Sequence, residues 1–164
     1  MICGLPGSGK TTLAHRLERD VPALYLNADV TLKSLQATER GPDLDVLRDR
    51  VEQLLEDVAL RVLELGANVV VDNGFWARSQ RRELRARVEA IGATARVYYL
   101  EVPLAELWRR IELRNLDPDN TSFVIEYAEL AEWAQLIEPP APEDDVIVLT
   151  STTKAARHGW PAAS

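Results

Sequence analysis

A glycine-rich stretch near the start of the chain has the spacing of a phosphate-binding loop. In the segment GLPGSGKTT, Gly4, Gly9, Lys10 and Thr11 match the pattern G-x-x-x-x-G-K-[ST]. Glycines let consecutive backbone N–H groups surround an anion, Lys10 can reach the β- and γ-phosphates, and Thr11 offers a hydroxyl to Mg²⁺. A chance glycine turn capping a helix is the alternative, but strand, loop and helix follow in the order that the motif needs. The predicted nucleotide-binding residues are Gly4, Pro6, Gly7, Ser8, Gly9, Lys10, Thr11 and Thr12.

Two aspartates follow predicted strands, in the segments LNADV and VVVD. Ligands of open parallel sheets bind beyond the carboxyl ends of the strands, so Asp29 and Asp72 can both face the γ-phosphate. Asp29 could accept a hydroxyl proton while Asp72 orders Mg²⁺, or Asp72 could be the base while Asp29 holds the acceptor. The structural alternatives are a helix cap at Asp29 and a turn residue at Asp72, beside Asn73 and Gly74.

Arginines recur at helical spacing after the third predicted strand, at Arg78, Arg81, Arg82 and Arg85. We expect most of them to lie on a solvated face and to pair with Glu83 and Glu89. Arg78 is the exception because it begins the helix near the strand end. Phe75 and Trp76 precede it and could line an acceptor pocket or staple the helix to its neighbour.

A second arginine-bearing helix, with the sequence LWRRIELRN, leads into the polar stretch LDPDNTS. Arg110 and Arg114 are four residues apart and share one face. This helix and loop, about residues 109–123, could form a lid that closes over ATP. The arginines of the lid would neutralise charge on the transferring phosphoryl group. Salt bridges with glutamates one turn away are the alternative. Arg109 is not assigned to the lid.

The elements that position these residues alternate between apolar runs and helical periodicities, which predicts a parallel sheet wrapped by helices. The predicted strands cover residues 1–3, 23–28, 68–72, 95–102 and 145–150, and the main helices cover 10–20, 44–65, 78–91, 103–115 and 126–137. We interpret residues 1–164 as a single α/β domain with a weakly determined tail over 151–164.

The first predicted strand is unusually short, with three residues where strands commonly have about five or six. A strand of that length leaves N–H and C=O groups of its neighbours unpaired. We therefore expect the natural protein to start a few residues upstream of Met1, which mass spectrometry of the native protein would test. A genuinely short strand completed by water is the alternative.

Composition restricts the class of protein further. The chain has 164 residues, 46% of them apolar, which is enough for one core. Cys3 is the single cysteine, so no disulfide can form within the chain, and no apolar run reaches about 18 residues. We expect a cytoplasmic protein. The net charge of −7 disfavours nucleic acid as a partner, because an acidic surface repels the phosphate backbone.

Five segments together resemble the AAA-family predicted kinases, which are related to chloramphenicol phosphotransferase, zeta toxins and polynucleotide 5′-kinase domains. They are GLPGSGKTT, LNAD, VVVDNGFWARSQRRELR, VPLAELWRRIELRN and FVIEYAELAEWAQLIEPP. The resemblance implies a three-layer P-loop NTPase fold with a five-stranded parallel sheet in the order 2-3-1-4-5. It also implies Mg²⁺-dependent phosphorylation of a hydroxyl by ATP or GTP. The acceptor-side aspartate falls on Asp29, the strand-end aspartate on Asp72, and the lid arginines on Arg110 and Arg114.

The sequence departs from these relatives at one position on the acceptor side. Polynucleotide kinases and zeta toxins commonly carry an arginine three residues after the acceptor-side aspartate, where this chain has Leu32, followed by Lys33. A displaced lysine cannot replace a bidentate arginine fork for phosphate. We therefore predict a small-molecule hydroxyl acceptor, in a pocket formed by residues 35–44 with Phe75 and Trp76.

Two alternatives to a small-molecule kinase remain open, and the sequence indicates no oligomeric state. A nucleic-acid 5′-hydroxyl kinase would bind DNA or RNA ends in a salt-sensitive way. A non-catalytic nucleotide-binding or regulatory module would bind Mg·ATP without phosphorylating any acceptor. Residues 151–153, after the last strand, are the predicted position of the adenine.

Overall fold

The computed structural model describes residues 1–35, 42–117, 123–141, 144 and 146–150. Its strands are β1 (Ile2–Cys3), β2 (Ala23–Leu26), β3 (Asn68–Val71), β4 (Val97–Glu101) and β5 (Val146–Thr150). Its helices are α1 (Lys10–Asp20), α2 (Ala28–Ser34), α3 (Pro42–Glu64), α4 (Arg78–Ala90), α5 (Leu104–Asn115) and α6 (Tyr127–Leu136). The predicted strands and helices are present, with small differences at their ends. None of the helices described is both long enough and apolar enough to cross a membrane.

The strands pair only in parallel, in two groups. One sheet has the order β1-β4-β5, and the other consists of β2 and β3. They meet where Cys3 forms a single bridge with Gly74 and the Gly4 N–H donates to the Gly74 carbonyl over 3.2 Å. The predicted continuous sheet in the order 2-3-1-4-5 is therefore not confirmed, because β1 is too short to form a ladder with β3.

The strand residues face helices on both sides, which gives the α/β layers predicted from the sequence. Ile2 and Val70 pack with Leu13 and Leu17 of α1 on one face. Their neighbours along the strands, Cys3 and Val71, belong to the larger cluster with α3 and α4 on the other face, as the alternation of side chains along a strand requires. The sheet thus fixes α1, and the loop that precedes it, against β1 and β3.

Helix α3 buries a narrower stripe than the sequence pattern predicted. Val51, Leu55 and Ala59 are buried at helical spacing. Apolar residues recur at helical spacing from Leu47 to Val62, which predicts that Leu54 and Val58 face the core. Leu54 is 59% exposed and Val58 is also exposed, so that prediction is wrong. The reason is that α3 contacts α2, α4 and the β2-β3 sheet along one side only. That orientation leaves polar residues of its first turns beside the carboxyl ends of β2 and β3.

Helices α5 and α6 form a second apolar cluster around the loop that precedes α1. Leu107 and Ile111 of α5, Leu130 of α6 and Ile125 are buried together with Leu5. The helical spacing of Leu107 and Ile111 predicts that both face the core, and their burial confirms it. Because Leu5 lies inside the glycine-rich loop, this cluster ties the loop to α5 and therefore to the arginines that α5 carries.

Candidate functional site

The glycine-rich loop adopts backbone conformations that favour glycine. Gly7 and Gly9 have φ angles of 79° and 100°, and Gly9 is the N-cap of α1. A Cβ atom at Gly7 would lie 3.1 Å from Ile111 Cγ1 and 3.2 Å from the Leu107 carbonyl oxygen, so the loop is seated directly on α5. This arrangement leaves the N-terminus of α1 pointing into the space above the loop, where it can attract an anion.

Lys10 lies at the floor of that space. Its Nζ donates to the Leu5 carbonyl over 3.2 Å. Burial lowers the pKa of Lys10, while the nearby carboxylates of Asp72 and Asp29 oppose that shift. An anionic ligand stabilises the charged form of a partly buried ammonium group, because its interactions with the ammonium replace the hydration that burial removes.

Asp72 is the most enclosed carboxylate of the site, with 2% of the residue exposed. Its Oδ2 accepts from Tyr25 Oη over 3.2 Å and from Thr11 Oγ1 over 3.4 Å. Its Oδ1 has no hydrogen-bond partner. Burial raises the pKa of Asp72, and Lys10 acts against that shift.

The pair formed by Thr11 and Asp72 fits the requirements of Mg²⁺. The buried and unpartnered Asp72 Oδ1 and the Thr11 hydroxyl are hard oxygen donors, which Mg²⁺ prefers. The described residues contain no cluster of three or more His, Cys, Asp or Glu side chains able to enclose a metal by themselves. Mg²⁺ is usually held by one or two protein groups together with phosphates and water.

Asp29 lies in the first turn of α2 and does not cap it. The cap is Asn27, whose Oδ1 accepts from the Val30 N–H over 2.9 Å while its Nδ2 donates to the Asp72 carbonyl. The side chain of Asp29 is 55% exposed, and its Oδ1 lies 2.8 Å from Arg48 Nη1 of α3. The structure therefore excludes the capping alternative for Asp29 and supplies a cationic partner that the sequence did not predict.

A cleft of about 580 Å³ connects these groups. Its lining includes Lys10, Asp29 and Asp72, together with the predicted Pro6, Phe75 and Trp76. The remaining lining residues come from α2, α3, the turn after β3, the start of α4 and the region of α6: Ala28, Leu44, Asp45, Arg48, Asp49, Glu52, Asn73, Gly74, Gln80, Phe123, Ile125, Glu129 and Trp133. Most of these were not predicted as site residues, because they lie far from the phosphate loop in sequence.

The turn after β3 is held by a buried arginine, Arg81, for which the sequence predicts a solvated position. Arg81 is 3% exposed, so that expectation is wrong. Its guanidinium donates to the carbonyls of Phe75, Trp76 and Glu138 over 2.9, 3.0 and 2.8 Å. Phe75 has a φ of 46°, a conformation that is unfavourable for a bulky residue. The carbonyl contacts of Arg81 stabilise this turn.

Trp76 connects that turn to the phosphate loop. Its Nε1 donates to the Gly4 carbonyl over 3.3 Å, and its ring packs against Trp133 of α6 with centroids 5.7 Å apart. Phe75 is buried in the main core, so only part of the predicted acceptor wall is available to a ligand.

Two predicted acceptor-side cations lie outside the lining of the cleft. Arg78 Nε lies 3.2 Å from Asp144 Oδ2, and the Arg78 backbone N–H donates to Glu138. Lys33 Nζ lies over the ring of Phe123, 5.8 Å from its centroid. Neither side chain contacts Asp29 or Asp72, and their predicted roles in acceptor binding stay predictions.

The two arginines predicted to belong to a lid lie on α5, and one of them contacts the glycine-rich loop. Arg110 Nη1 donates to the Gly7 carbonyl over 3.2 Å, and its Nε pairs with Glu106. Arg114 donates weakly to the Phe123 carbonyl, and burial lowers its pKa while the charge of Asp29 acts against that shift. Arg109 is exposed and pairs with Glu106, so the alternative of intrahelical salt bridges applies to Arg109 and partly to Arg110.

Three predicted segments fall on residues outside those described. They are the adenine position at 151–153, residues 118–122 of the lid loop and residues 36–41 of the acceptor segment. The described parts of the other two segments are residues 109–117 and 123 of the lid and residues 35 and 42–44 of the acceptor segment.

Comparisons with known proteins identify the family of this chain and proteins that share its fold. A family model described as "AAA domain" matches residues 1–140. A shikimate kinase of Corynebacterium diphtheriae is 30% identical over 137 residues, which cover 79% of this chain and 73% of that protein. A sugar kinase from Janibacter sp. has a TM-score of 0.61 at 20% identity and covers 91% of this chain and 82% of its own.

A third relative has the same fold with a nucleotide analogue bound. The APS kinase of Mycobacterium tuberculosis, in complex with AMPPNP and APS, has a TM-score of 0.63 at 22% identity and covers 92% of this chain and 86% of its own. These similarities confirm an α/β fold with a parallel sheet and flanking helices. The finer resemblance to chloramphenicol phosphotransferase, zeta toxins and polynucleotide kinases is not confirmed by them.

Proposed function

The chain belongs to the AAA-domain family, among its P-loop kinases, and on that premise we propose that it transfers the γ-phosphate of ATP to a hydroxyl group of a small molecule. One observation carries the proposal: Lys10, Asp72 and Asp29, from three separate segments, line the same cleft. The relatives named as shikimate, sugar and APS kinases all have small-molecule acceptors in their names, which supports an acceptor of that size.

The proposed reaction breaks the bond between the γ-phosphorus and the β–γ bridging oxygen and forms a bond from that phosphorus to the acceptor oxygen. The loop amides and Lys10 hold the phosphates, and Arg110 and Arg114 neutralise charge on the transferred group. Thr11 and Asp72 would hold Mg²⁺, which when bound neutralises charge on the β- and γ-phosphates.

In this mechanism Asp29 accepts the hydroxyl proton, and ADP leaves. Asp29 is the better candidate for the base because it is exposed to the cleft, whereas Asp72 is enclosed and bonded to the Thr11 and Tyr25 hydroxyls. Lys10, Asp29, Arg110 and Arg114 are thus the proposed catalytic residues, with Asp72 on the metal side.

The test is a screen of hydroxyl compounds and oligonucleotides with γ-labelled ATP and Mg²⁺. We expect labelled small molecules, no transfer by Asp29→Asn with ATP affinity retained, and loss of both transfer and triphosphate binding by Lys10→Ala. Unchanged turnover in Asp29→Asn would exclude Asp29 as the base. ATP binding without any labelled compound would favour a non-catalytic module, and labelled oligonucleotides alone would favour a nucleic-acid 5′-hydroxyl kinase.

A further inference from the structure

The acceptor side of the cleft is strongly acidic. The described lining residues include six carboxylates and only two cationic side chains, so an anionic acceptor would meet mostly repulsion there. The carboxylates are Asp29, Asp45, Asp49, Glu52, Asp72 and Glu129, and the cations are Lys10 and Arg48.

Both cations already have roles. Lys10 lies in the phosphate loop, where the triphosphate would engage it. Arg48 lies 2.8 Å from Asp29 Oδ1 and 3.9 Å from Glu52 Oε1, so its charge is matched by two carboxylates. Among the described lining residues, no further cation is available to bind a carboxylate or phosphate on an acceptor.

The cleft offers groups that stabilise a positive charge. Glu52 is half-buried, and burial raises its pKa to about 7 although Arg48 acts in the opposite direction. An ammonium group beside Glu52 would restore the favourable interactions that its carboxylate lost with water. Trp76 and Trp133 line the same space, and aromatic faces attract cations.

The cleft also has a mark of ligand binding apart from the number of its carboxylates. Asp72 is almost fully buried and lines the cleft, and its Oδ1 has no hydrogen-bond partner. A buried carboxylate oxygen is costly unless a bound group satisfies it.

From the charge, the aromatic lining and the volume of this cleft, we propose that the acceptor is a hydroxyl compound bearing a protonated amine, of the amino-sugar or amino-alcohol class. This inference rests on the proposed phosphotransferase function. The ammonium binds between Glu52 and Asp49 of α3, and the reacting hydroxyl lies toward Asp29, which takes its proton as the phosphoryl group moves from ATP to the hydroxyl oxygen.

The test uses the full chain, Mg·ATP and sets of compounds that differ only at the amine. The amines are amino sugars, aminocyclitols and amino alcohols, and each is compared with its N-acetylated form, its deaminated form and its carboxylate counterpart. We expect kcat/KM to fall at least tenfold on N-acetylation, and further for carboxylates. Transfer that favours neutral or anionic compounds would overturn this inference and leave the kinase proposal standing. Mg·ATP binding without labelling of any charge class would overturn both.

Variants of the cleft give a second and independent measurement. Glu52→Gln and Asp49→Asn should each raise KM for an amine acceptor about fivefold to tenfold while KM for ATP stays constant. Glu89→Gln, at an exposed position of α4, is the matched control and should change neither KM. Equal KM values for the amine acceptor in Glu52→Gln, Asp49→Asn and the control would exclude the proposed ammonium position.

Discussion

Arg48 of α3 holds Asp29 of α2 through a contact of 2.8 Å between Nη1 and Oδ1. The candidate base is therefore oriented by a residue from another helix. Arg48 is partly covered, and it also lies near Glu52, which limits the positions its guanidinium can take. Orientation of this kind matters for proton transfer, because a base must lie within hydrogen-bond reach of the acceptor hydroxyl.

Removing the Arg48 guanidinium should impair transfer without affecting nucleotide binding. In Arg48→Met the aliphatic stem is kept, and Asp29 loses its partner. We expect kcat to fall about tenfold, since misplacing a catalytic group by a fraction of an ångström is costly. Steady-state kinetics give kcat, and calorimetry with Mg·ATP gives the affinity.

Two further variants make that measurement specific. Arg48→Lys should recover part of kcat, because a lysine can still reach Asp29. Arg50→Met changes an exposed arginine of the same helix and should behave as the wild type. A loss of kcat in Arg50→Met equal to that in Arg48→Met would show that α3 responds to any change of charge and that Arg48 has no special role.

Asp72 should contribute to Mg²⁺-dependent binding at a cost in stability. Burial raises the pKa of Asp72, so the folded protein binds its proton more tightly than the unfolded chain does. The resulting penalty is absent below the unfolded pKa and present at neutral pH. Asp72→Asn should therefore unfold at a higher temperature than the wild type at pH 7, with a smaller difference at acid pH, and should lose the Mg²⁺ dependence of ATP binding.

The control for this variant is Asp20→Asn, which removes an exposed carboxylate at the end of α1 whose contact with Arg16 spans 3.8 Å. Exposed pairs of this kind contribute little, so its melting temperature should hardly change. A lower melting temperature in Asp72→Asn, with Mg²⁺ dependence retained, would contradict both the electrostatic argument and the metal-side assignment.

The sequence predicted the phosphate loop and the two strand-end aspartates because those signals are local. The loop pattern fixes residue types over a few positions, and parallel strands bring their carboxyl ends to one edge. Arg48 and Glu52 were missed because an amphipathic pattern indicates which apolar residues of α3 are buried. It does not indicate which polar residue meets a neighbouring turn.

Tertiary contacts also decided which arginine of α4 is buried. Arg78, Arg81 and Arg82 look alike in sequence, but the carbonyl groups of the turn after β3 surround only Arg81, while Asp144 pairs with the other two. The sequence pattern also did not predict that the sheet divides into two groups of strands. That division depends on the length of β1 and on the turn around Gly74, which together limit the pairing of β1 with β3. Both outcomes arise from segments distant in sequence.

Glu52 should destabilise the protein at alkaline pH. Burial raises the pKa of Glu52 from 4.5 to about 7 in the folded state. The charge of Glu52 therefore lowers the free energy of unfolding increasingly as the pH rises from 4.5 to about 7, and the loss is complete above that pH. Glu52→Gln should add about 3 kcal/mol at pH 8, since one pKa unit corresponds to about 1.4 kcal/mol, and much less at pH 5. Urea unfolding at both pH values measures this difference. An equal gain at pH 5 and pH 8 would show that the effect is not electrostatic.

Arg110 should be required for catalysis, whereas its neighbour Arg109 should not. Both pair with Glu106, and that contact lowers the pKa of the Glu106 carboxyl to about 2, but only Arg110 reaches the Gly7 carbonyl of the phosphate loop. Arg110→Ala should lower kcat about 100-fold, a typical loss when one preorganised donor is removed. Arg109→Ala is the matched control and should keep full turnover. Similar kcat values in the two variants would remove Arg110 from the catalytic groups.

The last prediction concerns the seat of the phosphate loop on α5. A Cβ at Gly7 would lie 3.1 Å from Ile111 Cγ1 and 3.2 Å from the Leu107 carbonyl oxygen, and backbone atoms of a helix cannot move aside easily. Gly7→Ala should therefore displace the loop, lower the melting temperature and weaken Mg·ATP binding at least tenfold.

Gly92→Ala is the control that distinguishes the steric contact at Gly7 from the cost of placing an alanine at a positive φ angle. Gly92 has a φ of 76°, close to the 79° of Gly7, but a Cβ there would meet no atom within 4 Å. Its cost should be only that of a left-handed alanine, about 1 kcal/mol, with ATP binding unchanged. If both variants lose the same stability and Gly7→Ala still binds ATP normally, then the contact between the loop and α5 does not shape the phosphate site. If Gly7→Ala alone loses ATP, the position of the loop depends on α5, the same helix that brings Arg110 to the phosphates.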